Sequence, residues 1–66
     1  MQIILNGEAH LLPASQSVAE LLDALQLAGK RLAVEVNEEI IPKSRHTSHC
    51  LTEGDRVEIV HAIGGG

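Results

Sequence analysis

The chain contains no Phe, Tyr or Trp. Base stacking, cation–π recognition and aromatic anchoring at an interface are thereby excluded. Any core has to be built from Leu, Ile, Val and Ala. Cysteine occurs once, at Cys50, so no internal disulfide is available. A secreted domain of 66 residues ordinarily needs such staples, and a reducing cytoplasm is the expected home. Basic residues are scarce, five against nine acidic ones, for a formal charge of −4. That balance lacks the basic face a phosphate backbone demands, so nucleic acid is not an expected partner. A basic protein surface suits it better. Long apolar runs are missing too. The segment from Met1 to Gly7 has neither the basic nor the long apolar region of a signal peptide. No run is long enough to span a bilayer, and no membrane partner is expected. A chain this short buries only about 60% of the surface its unfolded form exposes. Little room remains for a catalytic pocket beside a complete core, which points to a non-enzymatic module that works through partners.

What is present is ordered by turn and cap residues. Ile3-Ile4-Leu5 stops at Asn6-Gly7, a strong hairpin signal because both residues tolerate positive φ. Glu8 to Leu12 returns antiparallel until Pro13, which cannot donate to a ladder. Ser17-Val18-Ala19-Glu20 fits a capping box. Val18, Leu21, Leu22 and Leu25 follow at one-face helical spacing, predicting a helix from Ser17 to about Ala28 with Gly29 at its C′ position. Ala33 to Asn37 alternates as a half-buried strand, Glu38-Glu39 reads as a turn, and Ile40-Ile41 as a short strand ended by Pro42. Lys43 to His49 is a polar loop with room for one helical turn. Glu53-Gly54-Asp55 is a turn before the longest strand signal, Arg56 to Ile63. One helix across one face of a small mixed sheet is an α+β layer architecture. The ubiquitin-like β-grasp has this element order and size. It predicts a domain over 1–63, with first and last long strands adjacent and parallel at the centre, and a separate tail over 64–66.

The tail is Gly64-Gly65-Gly66. Without Cβ atoms an extended Gly-Gly segment can thread a narrow channel and deliver a terminal carboxylate into another protein's active site. A carboxylate is a poor electrophile. Conversion to an acyl-adenylate supplies a good leaving group, which a persulfide or thiolate can then displace.

The chain resembles the ThiS family, the sulfur carriers of thiamine biosynthesis. The resemblance runs nearly end to end. It lies in Ile3-Ile4-Leu5-Asn6-Gly7, in Ser17-Val18-Ala19-Glu20-Leu21-Leu22, in Ala33-Val34-Glu35-Val36-Asn37 and in Ile40-Ile41-Pro42-Lys43. Its most specific part is the run from Gly54-Asp55-Arg56-Val57 through His61-Ala62-Ile63 to the three glycines. The resemblance implies that a ubiquitin-activating-like adenylyltransferase uses ATP to adenylate the carboxylate of Gly66. A cysteine-derived sulfur donor then converts it to a thiocarboxylate, and thiazole synthase takes the sulfur. Gly66 carries the chemistry, Gly64 and Gly65 thread it, and no cofactor or metal is bound by the carrier itself. Lys43 stands where the family usually has Arg, and His46 where many members have Trp. Both departures bear on contacts or packing and leave the carboxylate untouched.

Other readings share these residues. A molybdopterin synthase small subunit uses the same chemistry but tends to carry an aromatic-Pro-Pro segment where this chain has His61-Ala62-Ile63. A protein modifier would join Gly66 to target lysines, and a plain interaction module would leave the tail inert. Cys50 is expected to be a semi-buried small apolar residue, since its neighbours His49 and Leu51 give no reason for a lowered pKa. His46, His49 and Cys50 fall short of the four ligands of a structural zinc site, so solvated loop and strand histidines are expected. Strand alternation that turns Ile3, Leu5, Val57 and Ile59 toward the helix turns Ile4, Val60 and Ala62 away from it. Those three residues are the expected docking face for the adenylating partner.

Overall fold

The computed structural model describes residues 1–61. In chain order they form β1 (Gln2–Leu5), β2 (Glu8–Leu11), α1 (Val18–Ala24), β3 (Leu32–Val36) and β4 (Glu39–Ile41). A 3-10 turn at Lys43–Arg45 then leads to β5 (Arg56–His61). The strands make one sheet in the order β2-β1-β5-β3-β4. β1 and β5 run parallel, and the other neighbouring pairs are antiparallel. A parallel pair needs a crossover, which α1 and the β3–β4 hairpin supply. The fold is therefore the ubiquitin-like β-grasp that the element order predicted, with β5 at the centre.

Both hairpins close through two residues of positive φ. These are Asn6 (50°) and Gly7 (84°) between β1 and β2, and Asn37 (53°) and Glu38 (69°) between β3 and β4. This is the turn hand that matches strand twist. The second turn lies one residue earlier than the expected Glu38-Glu39. Glu39 pairs with Val36 and belongs to β4. The sequence hides this because Glu38 sits where glycine is usual.

The helix begins as its capping box predicts. The Glu20 amide donates to Ser17 Oγ at 3.1 Å, and the Ser17 amide to Glu20 Oε1 at 2.8 Å. The two amides between them donate to loop carbonyls, Val18 to His49 at 2.9 Å and Ala19 to His46 at 2.8 Å. Every amide that the first turn would orphan is thus satisfied.

The other end departs from expectation. The helix stops at Ala24, not near Ala28. Gln26 (φ 61°) takes the left-handed position that closes the helix, and Gly29, left-handed as well (φ 81°), lies in the connection beyond it. The Gln26 amide donates to Asp23 O at 3.0 Å and the Leu27 amide to Leu22 O at 2.8 Å, a Schellman closure. Leu27 then packs back on the core. Its apolar character belongs to that closure and only imitates a further helical turn.

The core is wholly aliphatic. Ile3, Val18, Leu21, Val34, Leu51 and Val57 are fully enclosed, and Leu12, Leu22, Val36 and Ile41 are nearly so. Burial of each such side chain contributes about 1.5–3 kcal/mol. Leu51 reaches the core from a loop that is held to the helix start by its amide bond to Gln16 O at 2.7 Å. His46 is buried as well, its Nε2 donating to Ile41 O at 3.0 Å. This corrects the expectation that all the loop histidines are solvated, and it accounts for an imidazole where a bulky ring was expected. Cys50 is exposed rather than semi-buried, because its backbone bridges to Ser17 and its neighbour Leu51 takes the inward position.

Candidate functional site

The strand that leads to the glycines is β5, and its placement is fixed from both sides. Along β3 it pairs from Val57 opposite Val36 to His61 opposite Leu32. Along β1 it pairs only at Arg56 and Val57, because β1 turns away at Asn6. The turn itself continues the contact. The Asn6 amide donates to Val57 O at 2.8 Å, and Asn6 Oδ1 accepts the Ile59 amide at 2.8 Å. Asn37 does the same from the other hairpin, its Oδ1 accepting the Arg56 amide at 3.0 Å and its Nδ2 donating to Asp55 Oδ1 at 3.0 Å. Each hairpin turn therefore lends a side-chain acceptor to the tail-bearing strand.

Asp55 anchors the start of that strand. Its carboxylate accepts from the Thr52 amide at 2.8 Å and the Thr52 hydroxyl at 3.1 Å, closing the 52–55 turn. Its carbonyl accepts the Ile4 amide at 2.9 Å. Partial burial opposes ionisation of Asp55. The bonds from the Thr52 amide, from Asn37 and from the Thr52 hydroxyl, with His49 nearby, outweigh it and hold the carboxyl below its ordinary value of 3.8.

Of the residues singled out in the sequence, Ala62, Gly64, Gly65 and Gly66 lie outside the described residues, as does the domain boundary after Ile63. Val60 is 54% exposed on the sheet face away from the helix. Ile4 lies on the same face, half-buried, opposite Ala9 and beside Arg56. The two are not contiguous. Val60 is four residues beyond Arg56 along β5, about 13 Å at about 3.3 Å per residue, and Glu58 lies between. Val60 instead has Ala33 as its cross-strand neighbour.

Sequence reasoning missed two members of this face. Leu11, opposite Gln2 on β2, is 74% exposed, and Ile40, opposite Glu35 on β4, is 66% exposed. Register would have found them, since each shares the parity of an outward neighbour. It also missed the two asparagines. Their signal is a shared context, an apolar strand end followed by Asn and then Glu two residues on: Leu5-Asn6-Gly7-Glu8 and Val36-Asn37-Glu38-Glu39.

Comparison with known proteins places this geometry in a family. The family model described as ThiS family matches residues 3–66. The sulfur carrier protein ThiS of Escherichia coli K12 is 33% identical over 66 residues, covering all of both chains. A thiazole synthase of Paramagnetospirillum magneticum is 42% identical over 66 residues, and the chain spans only 20% of that relative's length. Among solved structures, the crystal structure of the thiamine biosynthesis protein ThiS from Geobacter metallireducens superposes with a TM-score of 0.88. It is 32% identical, and the match covers 100% of each chain.

Proposed function

The chain belongs to the ThiS family of sulfur carrier proteins in thiamine biosynthesis, and from that premise we propose that the carboxylate of Gly66 is the group that carries the sulfur. The observation that supports this most is the reach of the family match, which runs from Ile3 through Gly66 and so takes in the whole glycine run. The central, doubly anchored β5 gives the tail a fixed point of departure.

The chemistry follows from the weakness of a carboxylate as an electrophile. One oxygen of Gly66 attacks the α-phosphorus of ATP on an adenylyltransferase of the ubiquitin-activating type. A P–O bond breaks and pyrophosphate leaves. A cysteine-derived persulfide sulfur then attacks the acyl carbon and AMP leaves. A thiol cleaves the resulting acyl disulfide to free the thiocarboxylate, which hands its sulfur to thiazole synthase. A thiazole synthase that includes a stretch 42% identical to this chain supports that enzyme as the recipient. The chain acts throughout as a co-substrate. Gly64 and Gly65 thread the partner's channel, and the sheet face that carries the exposed Val60 docks beside it.

Deleting Gly66 shortens the reach by about 3.5 Å. Appending one residue moves the carboxylate past the reaction point. An error of about 1 Å can cost 100-fold, so either change abolishes ATP–pyrophosphate exchange with the cognate adenylyltransferase, while thermal unfolding stays as in the parent. Intact mass of protein from thiamine-starved cells shows the replacement of one oxygen by sulfur. Normal exchange after deletion of Gly66 would sink the proposal.

A further inference from the structure

Basic residues are few but not scattered. Four of the five, Lys30, Arg31, Lys43 and Arg45, fall in two segments, the α1–β3 connection and the 3-10 turn. No Asp or Glu lies between Leu27 and Val34 or between Ile41 and Leu51. The two segments meet over a cavity of about 210 Å³ whose walls include Leu22, Leu27, Leu32 and His46, with Lys30 and Lys43 at its exposed edge. Neither lysine ammonium is engaged by another described residue. The space is smaller than the ~300–1,000 Å³ of pockets that take drug-sized ligands. It suits one side chain. Its place matters too: Leu32, in the wall, pairs with His61, the last described residue of the tail-bearing strand.

We propose that this cavity is a docking socket for the protein that adenylates the tail, receiving one apolar side chain of that partner while flanking carboxylates pair with Lys30 and Lys43. The inference rests on the sulfur-carrier reading, which supplies a partner at this end of the sheet. Two features select the occupant. The lining is mostly apolar, so an aliphatic or aromatic anchor gains by leaving water, as interface hot spots do. The rim is cationic and free of acids on a protein whose overall charge is −4, so a partner segment rich in carboxylates is favoured over a basic one. The socket lies on the helix side of the sheet and Val60 on the other. A partner that engages both grips the end of β5 from both faces of the sheet.

The test separates anchor from charge. Lys30→Glu/Lys43→Glu and Ala19→Leu, which fills the cavity from the helix, are titrated calorimetrically into the cognate adenylating enzyme at low and high salt. Pyrophosphate exchange is followed in parallel. Charge reversal raises Kd by about tenfold or more at low salt and flattens the salt dependence. Filling the cavity raises Kd by about tenfold with the salt dependence intact. In both variants KM for the carrier rises while kcat holds, and thermal unfolding matches the parent. Should Ala19→Leu unfold early, Ala28→Leu, at an exposed wall position, carries the same arm. Parent-like Kd in the cavity-filled variant overturns the anchor, and parent-like Kd in both overturns the socket while leaving the carrier reading in place. A parent protein that neither binds nor supports exchange overturns both.

Discussion

Replacing Asn6 by alanine removes two things at once: the acceptor for the Ile59 amide at 2.8 Å, and a residue type that tolerates a φ of 50°. A typical intramolecular hydrogen bond contributes about 1 kcal/mol net. A left-handed conformation costs a residue with Cβ about 1–2 kcal/mol. Asn6→Ala is therefore expected to lose about 2–3 kcal/mol. That is a large share of the roughly 3–10 kcal/mol that a chain of 66 residues commands. Asn6→Gly keeps the turn and loses only the acceptor, for a loss of about 1 kcal/mol. Asn6→Asp keeps both features and stays near the parent. Urea unfolding at constant m-value gives the order parent and Asp, then Gly, then Ala. Hydrogen exchange localises the effect, with the Ile59 amide exchanging faster in the Gly and Ala variants and unchanged in Asp. Equal stability of the alanine variant and the parent, or unchanged exchange at Ile59 without the acceptor, would refute the idea that this turn holds the tail-bearing strand.

Three further outcomes are expected. Val60→Glu, at a position already 54% exposed, leaves unfolding unchanged but weakens binding to the adenylating partner by about tenfold or more, since a charge buried unpaired costs several kcal/mol. Calorimetric titration with parent-like affinity would remove the outer face from the interface. Glu38→Gly relieves a left-handed glutamate (φ 69°) and is expected to stabilise by about 0.5–1 kcal/mol, the strain relieved less the added freedom of the unfolded chain. A lower urea midpoint would contradict this. Asp55 is held below its ordinary value of 3.8 in the folded state, so the unfolded chain binds the extra proton as pH falls. Its contribution to stability is complete above the unfolded value and is lost as pH drops through the folded one. Urea midpoints between about pH 5 and 2 decline less steeply in Asp55→Asn than in the parent, and identical slopes would count against the assignment.

Much of this architecture was legible because local chemistry agreed with the global fold. Asn6-Gly7, Pro13, the Ser17–Glu20 box and the alternation of Val34 and Val36 each name one structure, and each forms it. Reading failed where a residue took a position its type does not announce. Gln26 closes the helix where Gly29 was expected, and Glu38 occupies a hairpin turn with no glycine. In both cases tertiary packing overrides intrinsic preference. Leu27 gains burial by following Gln26 back to the core, and Ile41 gains it by the register that Glu38 sets. At the candidate site, alternation placed Ile4 and Val60 on one face but carried no information on the register of β1 against β5, so the pairing of Ile4 with Arg56 rather than Val60 was invisible. The roles of Asn6 and Asn37 were hidden for a related reason. A turn residue is recognised by its own backbone, whereas the amides that these side chains reach lie far along the chain, at Ile59 and Arg56.

The sheet order has a consequence for the life of the chain. During synthesis the β1–β2 and β3–β4 hairpins emerge before β5, and nothing in the strand order joins them until β5 enters between. The contact of Ile4 with Arg56 closes nearly the full length of the domain, and such distant contacts are the slow and entropically costly ones. The strand that completes the sheet is also the one from which the glycines depart. A copy whose sheet is incomplete lacks the β1 and β3 partners that hold that strand in register. On the carrier role proposed above, a finished sheet is then the condition for a copy to be activated, and the fold would act as its own inspection step.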